Sequence, residues 1–456
     1  MVAVNTAFFS EMLQSIADRS RALILRERRE PARERSAGLV ELCEALLSGR
    51  GEASGVALAN EILADYAELT TGPRIAFFEA LARTFGHDPS RIDAAIAAWR
   101  QSPSAGTAAE LHRAAEPRRL ELLRRLNLAP GGTAALVRMR AQLLDAMDHR
   151  DDLGVIDNDF VHLFASWFNR GFLVLRRIDW STPALILEKI IRYEAVHEIR
   201  DWADLRRRID LPDRRCYAFF HPALVDEPLI FVEVALTREI PAAIAPILSD
   251  KREAVEPGRA TTAVFYSITN CQHGLAGVTF GHFLIKQVVE EVSREMPRIA
   301  TFVTLSPAPN FAEWLARERA NAASLALDDE DRDALAALDR ANWWREPELA
   351  ATIREPLLRA AAWYFMRGRN SRGLPLDAVA RFHLGNGARL ERLDWPADTS
   401  ERALAQSYGL MVNYLYDLDY IEQNHEAYAQ QRAVVAASAV TRLVRSPARE
   451  VVPVSG

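Results

Sequence analysis

The sequence predicts an α+β protein in which an all-helical bundle, residues 1–165, precedes a mixed α/β domain, residues 166–456. In the first third, apolar residues recur at helical spacing and strand-like runs are absent. From residue 171 onwards, short apolar runs rich in β-branched and aromatic residues alternate with helical segments. With 49% hydrophobic and 26% charged residues, a chain of 456 residues can bury a large core.

The N-terminal helices follow from apolar residues three and four positions apart. In "LVELCEALL", Leu39, Cys43 and Leu46 align on one face, and "AALVRMRAQLLDAM" aligns Leu136 and Leu143. The segment "RRLELLRRLNLAPGG" ends in a proline and two glycines, which stop a helix. Such helices bury their apolar faces against each other, so we expect an antiparallel bundle with a packing and assembly role.

The second part alternates predicted strands with predicted helices. The strand candidates are "GFLVLRRIDW", "RRCYAFFHPAL", "PLIFVEVALT", "TTAVFYSIT" and "ATFVTL". Between the last two lies an amphipathic helix, "GHFLIKQVVEEVSREM", whose inward residues include Phe283, Ile285 and Val288. Residues 312–370 are again predicted to be helical. The segment "ARFHLGNGARLERLDW" predicts a hairpin around Asn386-Gly387, because this dipeptide tolerates positive φ at both turn positions.

Composition and cysteine usage disfavour several classes of protein. The formal net charge of −6, from 56 basic and 62 acidic residues, does not favour nucleic acid or a membrane as partner. Cys43, Cys216 and Cys271 lie far apart without CxxC spacing, which disfavours a disulfide framework and a metal site. The sequence contains no run of about 18 apolar residues, so it predicts no membrane-spanning helix. The N-terminus lacks the order of a signal peptide and "VVPVSG" is no known address, so we expect a cytoplasmic protein.

Several common catalytic motifs are absent from the sequence. It contains no GxSxG, no GxxxxGK[ST], no strand–GxGxxG–helix and no HExxH. "GNGARL" lacks the third glycine of a dinucleotide fingerprint and falls in the predicted hairpin. These absences disfavour most hydrolases, kinases, dehydrogenases and metalloproteases.

A glycine-containing loop joins a predicted strand to the amphipathic helix, in "YSITNCQHGLAGVTFGHFLIKQVVEE". Gly274, Gly277 and Gly281 let the backbone approach a ligand closely. The free amides of a helix N-terminus favour an anion such as a pyrophosphate. Strand–loop–helix turns are common, so an ordinary turn remains the alternative.

Two further segments carry candidate catalytic side chains. Ser306, in "TLSPAPNF", follows a predicted strand and precedes a proline with a restricted backbone; its alternative reading is a turn or cap residue. His383, in "RFHLGNGARLERLDWPAD", falls in a predicted strand and suits proton transfer near neutral pH, although a lone histidine beside apolar residues is usually structural. Asn386 is a turn candidate, and Tyr414 in "GLMVNYLYDLDY" is an aromatic that could line a site.

Six segments together resemble the malonyl-CoA decarboxylase family, in the family's order and over most of residues 171–420. They are "WSTPALILEKIIRYEAVHEI", "DRRCYAFFHPALVDEPLIFVEVALT", "FYSITNCQHGLAGVTFGHFLIKQVV", "FVTLSPAPNFAEWL", "FHLGNGARLERLDWPAD" and "SYGLMVNYLY". The resemblance implies a helical domain that takes part in homo-oligomerisation, as a dimer or tetramer. It also implies a C-terminal domain like the acyl-CoA N-acetyltransferases.

The resemblance also assigns candidate site residues. It aligns the family's catalytic serine and histidine with Ser306 and His383. It implies a malonyl-CoA-binding loop formed by Ala276, Gly277, Val278, Thr279, Phe280, Gly281 and His282. This chain departs from animal members, which have Glu in place of Thr279 and Gly in place of Asn310, so Thr279 cannot fill an acid–base role of that glutamate.

The implied reaction is decarboxylation of malonyl-CoA to acetyl-CoA and CO2. No cofactor is expected, because the thioester itself accepts the electrons that the carboxyl group leaves behind. We expect His383 to protonate the carbon, and Ser306 to orient the carboxyl group or accept its proton. Two alternatives stay open at this point: a CoA-dependent acyltransferase acting on an amine, and a non-catalytic acyl-CoA-binding regulator.

Overall fold

The computed structural model describes most of the chain, in four stretches: residues 32–48, 51–147, 150–278 and 284–444. The chain divides into two compact units. The first unit takes the chain up to Val174 together with Phe220–Glu227 and Gln272–Phe280. The second takes Leu175–Phe219, Pro228–Cys271 and the chain from Gly281 onwards.

The first unit is helical in the described residues. Its α-helices are α1 (Ala32–Leu47), α2 (Glu52–Ala67), α3 (Thr71–Thr84), α4 (Pro89–Gln101), α5 (Ala105–Ala114), α6 (Arg118–Leu126), α7 (Gly132–Met147) and α8 (Gly154–Trp167). The predicted inward faces are confirmed, since Leu39, Cys43 and Leu46 of α1 and Leu136 and Leu143 of α7 are buried. The proline–glycine stop separates α6 from α7.

The second unit combines helices with most of an eight-stranded sheet. Its α-helices are α9 (Ala184–Tyr193), α10 (Trp202–Ile209), α11 (Ala245–Leu248), α12 (Leu284–Glu295), α13 (Phe311–Ala320), α14 (Asp329–Leu335), α15 (Pro347–Met366), α16 (Ala378–Gly385), α17 (Glu401–Ser407), α18 (Ile421–Gln431) and α19 (Ser438–Thr441). In the predicted amphipathic helix, now α12, Ile285 and Val288 are buried as expected, whereas Phe283 lies outside the described residues.

The strands of the sheet are β1 (Val174–Ile178), β2 (Arg214–Phe220), β3 (Pro228–Thr237), β4 (Thr262–Asn270), β5 (Thr301–Thr304), β6 (Ser306–Pro307), β7 (Arg389–Asp394) and β8 (Met411–Leu415). Their order is β1-β2-β3-β4-β5-β8-β6, and β7 also pairs with β8. The predicted fold class is confirmed: a helical N-terminal region precedes a mixed sheet with inserted helices.

Strands β4 and β5 stop pairing with each other in the middle of the sheet. They pair in parallel only from Thr262 opposite Thr301 to Phe265 opposite Thr304, although β4 continues to Asn270. After Thr304 the chain continues alongside β8, where Ser306 lies opposite Val412. Ser306 therefore lies just past the place where two parallel strands separate.

The predicted hairpin around Asn386-Gly387 is wrong. Residues Ala378–Gly385 form α16, whose first turn is capped by the Asp377 carboxylate accepting from the Ala380 amide at 2.8 Å. Gly387, with a φ of +82°, follows the helix end, a position that favours glycine. The following β7 pairs with β8, not with the segment before it. The dipeptide thus ends a helix, and His383 lies on that helix instead of on a strand.

Neither a membrane span nor a metal cluster occurs in the described part of the chain. No helix there is both long and apolar enough to cross a bilayer. Within the same ranges, no three His, Cys, Asp or Glu side chains come together in a way that could hold a metal ion.

Candidate active site

Ser306 and His383, which are 77 residues apart in the sequence, form a buried pair. The Ser306 Oγ lies 3.1 Å from the Nε2 of His383. Ser306 is 5% exposed and His383 is 3% exposed. The strand pairing of β6 with β8 places the serine, and the last turn of α16 places the histidine. The structure thus brings together both residues that the sequence singled out as catalytic candidates.

Ser306 is neither a simple turn residue nor a helix cap. It lies in the short strand β6, and the residue that precedes α13 is Asn310. The Ser306 hydroxyl instead donates to the Oγ1 of Thr304, two residues earlier, at 2.9 Å. Asn310 has a φ of −107°, so it does not adopt the positive φ that a glycine at that place would allow.

A chain of hydrogen bonds connects both ring nitrogens of His383 to hydroxyl groups. Because the hydrogen of Ser306 goes to Thr304, the Nε2–H of His383 donates to the Ser306 oxygen. The other ring nitrogen, Nδ1, lies 2.7 Å from the hydroxyl of Tyr416 and therefore accepts from it. The Thr304 hydroxyl is itself held, since its oxygen also accepts from the amide of Tyr414 at 3.1 Å.

Burial keeps His383 neutral. It lowers the pKa of the imidazole from its ordinary 6.5 to about 3, because a positive charge there would lose its hydration. The ring also stacks on Tyr414, with centroids 4.6 Å apart and planes 25° apart. The sequence-based expectation rested on an ordinary histidine that titrates near neutral pH. The structure shows a buried imidazole with a lowered pKa whose two ring nitrogens both contact hydroxyl groups.

The remaining predicted lining residues of the second unit have structural contacts. Tyr414 covers one face of the His383 ring, and its buried hydroxyl has no hydrogen-bond partner among the described residues. Asn386 follows the helix end and donates from its side-chain amide to the carbonyl of Phe382 at 2.7 Å. Asn386 therefore stabilises the last turn that carries His383.

Tyr416 and Thr304 were not predicted as site residues from the sequence. Side chains two residues apart on a strand share a face. Tyr416 thus accompanies Tyr414, and Thr304 accompanies Ser306. This period-two pattern in "NYLY" and "TLS" is the signal that could have identified them.

The predicted substrate loop is described only in part. Ala276, Gly277 and Val278 belong to the first unit, whereas Thr279, Phe280, Gly281 and His282 lie outside the described residues. Gly277 has a φ of +75°, and a Cβ added to it would meet nothing within 4 Å. The conformation, not crowding within the protein, therefore favours glycine there.

Comparison with known proteins gives a consistent family. The family model described as malonyl-CoA decarboxylase C-terminal domain matches residues 171–453, and the one described as malonyl-CoA decarboxylase N-terminal domain matches residues 85–168. The mitochondrial malonyl-CoA decarboxylase of Anser anser anser is 35% identical over an alignment of length 421 that covers 84% of this chain and 82% of the relative. That of Rattus norvegicus is 36% identical over an alignment of length 356 that covers 72% of this chain and 71% of the relative.

Two crystal structures of bacterial proteins share the fold closely. Malonyl-CoA decarboxylase from Rhodopseudomonas palustris superposes with a TM-score of 0.87 at 59% identity, covering 89% of this chain and 99% of that one. Malonyl-CoA decarboxylase from Agrobacterium vitis gives a TM-score of 0.86 at 54% identity, covering 90% and 100% of the two chains. The likeness therefore extends over both the helical part and the sheet.

Proposed function

The chain belongs to the malonyl-CoA decarboxylase family, and on this premise we propose that it converts malonyl-CoA into acetyl-CoA and CO2. In this proposal Ser306 orients the malonyl carboxyl group and His383 protonates the carbon from which CO2 departs. The observation that carries the proposal is the buried Ser306–His383 contact, with Tyr416 fixing the protonated nitrogen.

The chemistry of the reaction sets what the protein must supply. When the bond to the carboxyl carbon breaks, CO2 leaves and the electron pair spreads over the α-carbon and the thioester oxygen. One proton must then reach the α-carbon to give acetyl-CoA. The thioester accepts the electrons, so the proposal includes neither a metal nor an organic cofactor. The protein has to bind coenzyme A, stabilise the enolate oxygen and deliver the proton.

A neutral His383 suits this task better than a charged one. An imidazolium beside the malonyl carboxylate would form an ion pair and stabilise the substrate before CO2 leaves. Binding that favours the ground state does not lower the barrier. With a pKa of about 3, His383 instead presents an uncharged Nε2–H, which the strongly basic enolate carbon can take. The imidazolate left behind regains its proton from solvent when the product departs.

Ser306 suits the role of holding the carboxyl group. Its hydroxyl donates to Thr304 in the structure, and it can rotate to donate to a carboxylate oxygen without leaving its partner unsatisfied, because Thr304 keeps the Tyr414 amide. A single fixed donor would set the direction of the bond that breaks. Alignment of this kind lowers the entropy loss on the way to the transition state.

Gly277 provides the supporting observation for the substrate loop. Its N–H has no hydrogen-bond partner in the described residues, whereas the amides of Ala276 and Val278 donate to the carbonyls of His273 and Leu275. A free backbone N–H in a loop with positive φ is a ready donor for an anion. We assign it to the pyrophosphate of malonyl-CoA.

The direct test is to incubate the purified protein with malonyl-CoA in the absence of any acceptor. We expect acetyl-CoA and CO2 in equal amounts. An acyltransferase would need an added amine and would release an acylated amine. A non-catalytic binding protein would take up coenzyme A without releasing CO2, and either outcome would refute the proposed reaction.

His383 is expected to stay neutral throughout the range in which the enzyme works. Its lowered pKa means that the neutral form is complete above about pH 5, and that protonation begins only as the pH falls towards 3. The measurement is ¹⁵N NMR of ring-labelled histidine, with the His383 signal assigned by its loss in His383→Gln. We expect an unchanged Nε2–H signature from pH 8 to pH 5. A titration centred near 6.5 would contradict the burial argument.

Tyr416→Phe is expected to lower kcat about tenfold while leaving the Kd for coenzyme A unchanged, since only the donor to Nδ1 is lost. The neutral imidazole then loses the partner that favours its Nε2–H form. The same ¹⁵N spectrum should show a mixture of the two neutral forms. Unchanged kcat together with an unchanged spectrum would show that Tyr416 only fills space.

A further inference from the structure

We propose that Arg140, on helix α7 of the helical part, is a positioning residue for the substrate loop and directs the free N–H of Gly277 towards coenzyme A. The proposal rests on the proposed function, in which residues 276–278 contact malonyl-CoA. It gives the N-terminal helices a role in substrate binding in addition to packing and assembly.

The Arg140 side chain connects three segments of the first unit. Its Nη1 donates to the carbonyl oxygens of Gly274 and Ala276, each at 2.8 Å. Its Nε donates to the Oδ1 of Asp157 on α8, also at 2.8 Å. Arg140 is 2% exposed, so these contacts are made away from water, where charged hydrogen bonds are strong.

Gly274 brings the loop close enough for this contact. A Cβ added to Gly274 would lie 1.9 Å from the carbonyl oxygen of Val137 and 2.8 Å from its carbonyl carbon. Only glycine therefore allows the loop backbone to lie against α7 at this point. Val137 is three residues before Arg140, so the close approach and the arginine contacts lie on neighbouring turns of one helix.

Because the peptide bond is planar, the contact of the Ala276 carbonyl with Arg140 also sets the direction of the Gly277 N–H. In a trans peptide the C=O and the N–H point to opposite sides. The Ala276 carbonyl points to Arg140, so the N–H of the same peptide unit, which belongs to Gly277, points away from it. The other carbonyl that accepts from Arg140 is that of Gly274. The N–H of its peptide unit belongs to Leu275 and donates to the carbonyl of Gln272 at 2.9 Å. The Gly277 N–H is thus directed away from Arg140, and no described residue accepts from it.

A second buried arginine in the same unit provides a matched control. Arg119 on α6 is 5% exposed, and its Nε pairs with Asp159, which lies on α8 two residues from the partner of Arg140. Within the described residues, the Arg119 side chain makes no hydrogen bond to a carbonyl of residues 272–278. Arg119 and Arg140 therefore share burial and an aspartate partner, and differ in their contact with the substrate loop.

The experiment compares Arg140→Lys with Arg119→Lys in the full-length protein. Lysine keeps the charge but, as a single ammonium group, cannot hold Asp157 and both carbonyls at once. For Arg140→Lys we expect the Kd for coenzyme A, measured by calorimetry, and the KM for malonyl-CoA to rise about tenfold. The kcat should stay within about threefold, because Ser306 and His383 are untouched. Arg119→Lys should lower the Tm and change neither binding constant.

Each outcome has a distinct meaning. Equal effects of the two lysine variants on Kd and Tm would overturn the positioning role and leave Arg140 as a packing residue. If Arg140→Lys does not fold, Asp157→Asn, which loosens the arginine from the other side, is expected to raise the same Kd. Coenzyme A binding that depends on Arg140, in a protein that releases no CO2, would refute the proposed reaction and retain the positioning role. A wild-type protein that does not bind coenzyme A would overturn both.

Discussion

Replacing His383 by glutamine lowers the kcat for malonyl-CoA about 10²–10⁴-fold, the range that a positioned proton donor supplies, and leaves the Kd for coenzyme A within about threefold. Glutamine retains polarity and approximate size but cannot deliver a proton to carbon. Since His383 is buried and makes its side-chain hydrogen bonds to Ser306 and Tyr416, the loss should fall on the chemical step. Steady-state kinetics and calorimetry with coenzyme A measure the two quantities separately.

His197 is the matched control for that substitution. It is 9% exposed, and burial lowers its pKa to about 4, so it is also a buried neutral histidine of the second unit. Its Nε2 has no hydrogen-bond partner in the described residues. His197→Gln should change the Tm without a comparable loss of kcat. If both glutamine variants lose turnover equally, the loss reflects the burial of a polar group, and His383 is not the proton donor.

The position of His383 shows where sequence reasoning succeeds and where it fails. The residue itself was identified, because "FHLGNGA" is a recognisable segment. Its local structure was not, because Asn-Gly after alternating apolar residues also suits a hairpin. Two contacts favour the helix over the hairpin. Asp377 caps the first turn of α16, and Gly387 lies so close to Ile421 that an added Cβ would be 2.1 Å from the Ile421 carbonyl oxygen. The second contact comes from a helix that begins 34 residues later, so no local pattern could reveal it.

The hydrogen-bond partners of His383 depend on strand register. Thr304 ends β5 and Ser306 begins β6, whereas Tyr414 lies on β8 and Tyr416 directly follows it. They meet because Ser306 lies opposite Val412 and Val303 lies opposite Leu415. A shift of one residue would turn both tyrosines to the other face. The sequence could identify the tyrosines as a pair, but only the pairing of distant strands shows that both contact the imidazole.

Gly274, just before the substrate loop, and Gly277, within it, have different roles that the sequence could not distinguish. Both were expected to let the backbone approach a ligand. Gly274 instead allows the backbone to approach helix α7, whereas Gly277 is surrounded by open space and needs glycine for its positive φ. Of these two glycines, Gly277 therefore fits the original expectation of a backbone donor facing a ligand, and Gly281 lies outside the described residues.

The low pKa of His383 also bears on the choice between decarboxylation and acyl transfer. An acyltransferase that uses an amine has to remove a proton from that amine, and a base is most effective when its pKa lies near the working pH. An imidazole with a pKa of about 3 is a poor base at pH 7. Proton delivery to a strongly basic enolate carbon does not suffer from this mismatch. The lowered pKa therefore argues against His383 as the base of an acyltransferase.

Replacing Ser306 by alanine is expected to lower kcat by about 10² or more, with little change in the Kd for coenzyme A. The variant removes the donor to the malonyl carboxyl group and the acceptor of the His383 Nε2–H together. Ser306→Cys tests which function dominates. Because a thiol is a weak hydrogen-bond donor, the cysteine variant should resemble the alanine variant if Ser306 orients the carboxyl group by donation. A cysteine variant that keeps most of the turnover would instead assign proton acceptance to this position.

Ser407 provides the control, because it is a buried serine whose hydroxyl, among the described residues, contacts two main-chain carbonyls, those of Ala403 and Leu410, each at 3.0 Å. Ser407→Ala should cost a similar amount of stability, about 1 kcal/mol for a lost neutral hydrogen bond, with kcat unchanged. Near-normal turnover in Ser306→Ala would remove Ser306 from the mechanism. His383 would then have to align the substrate alone, and the contact between the two side chains would be no more than packing of buried polar groups.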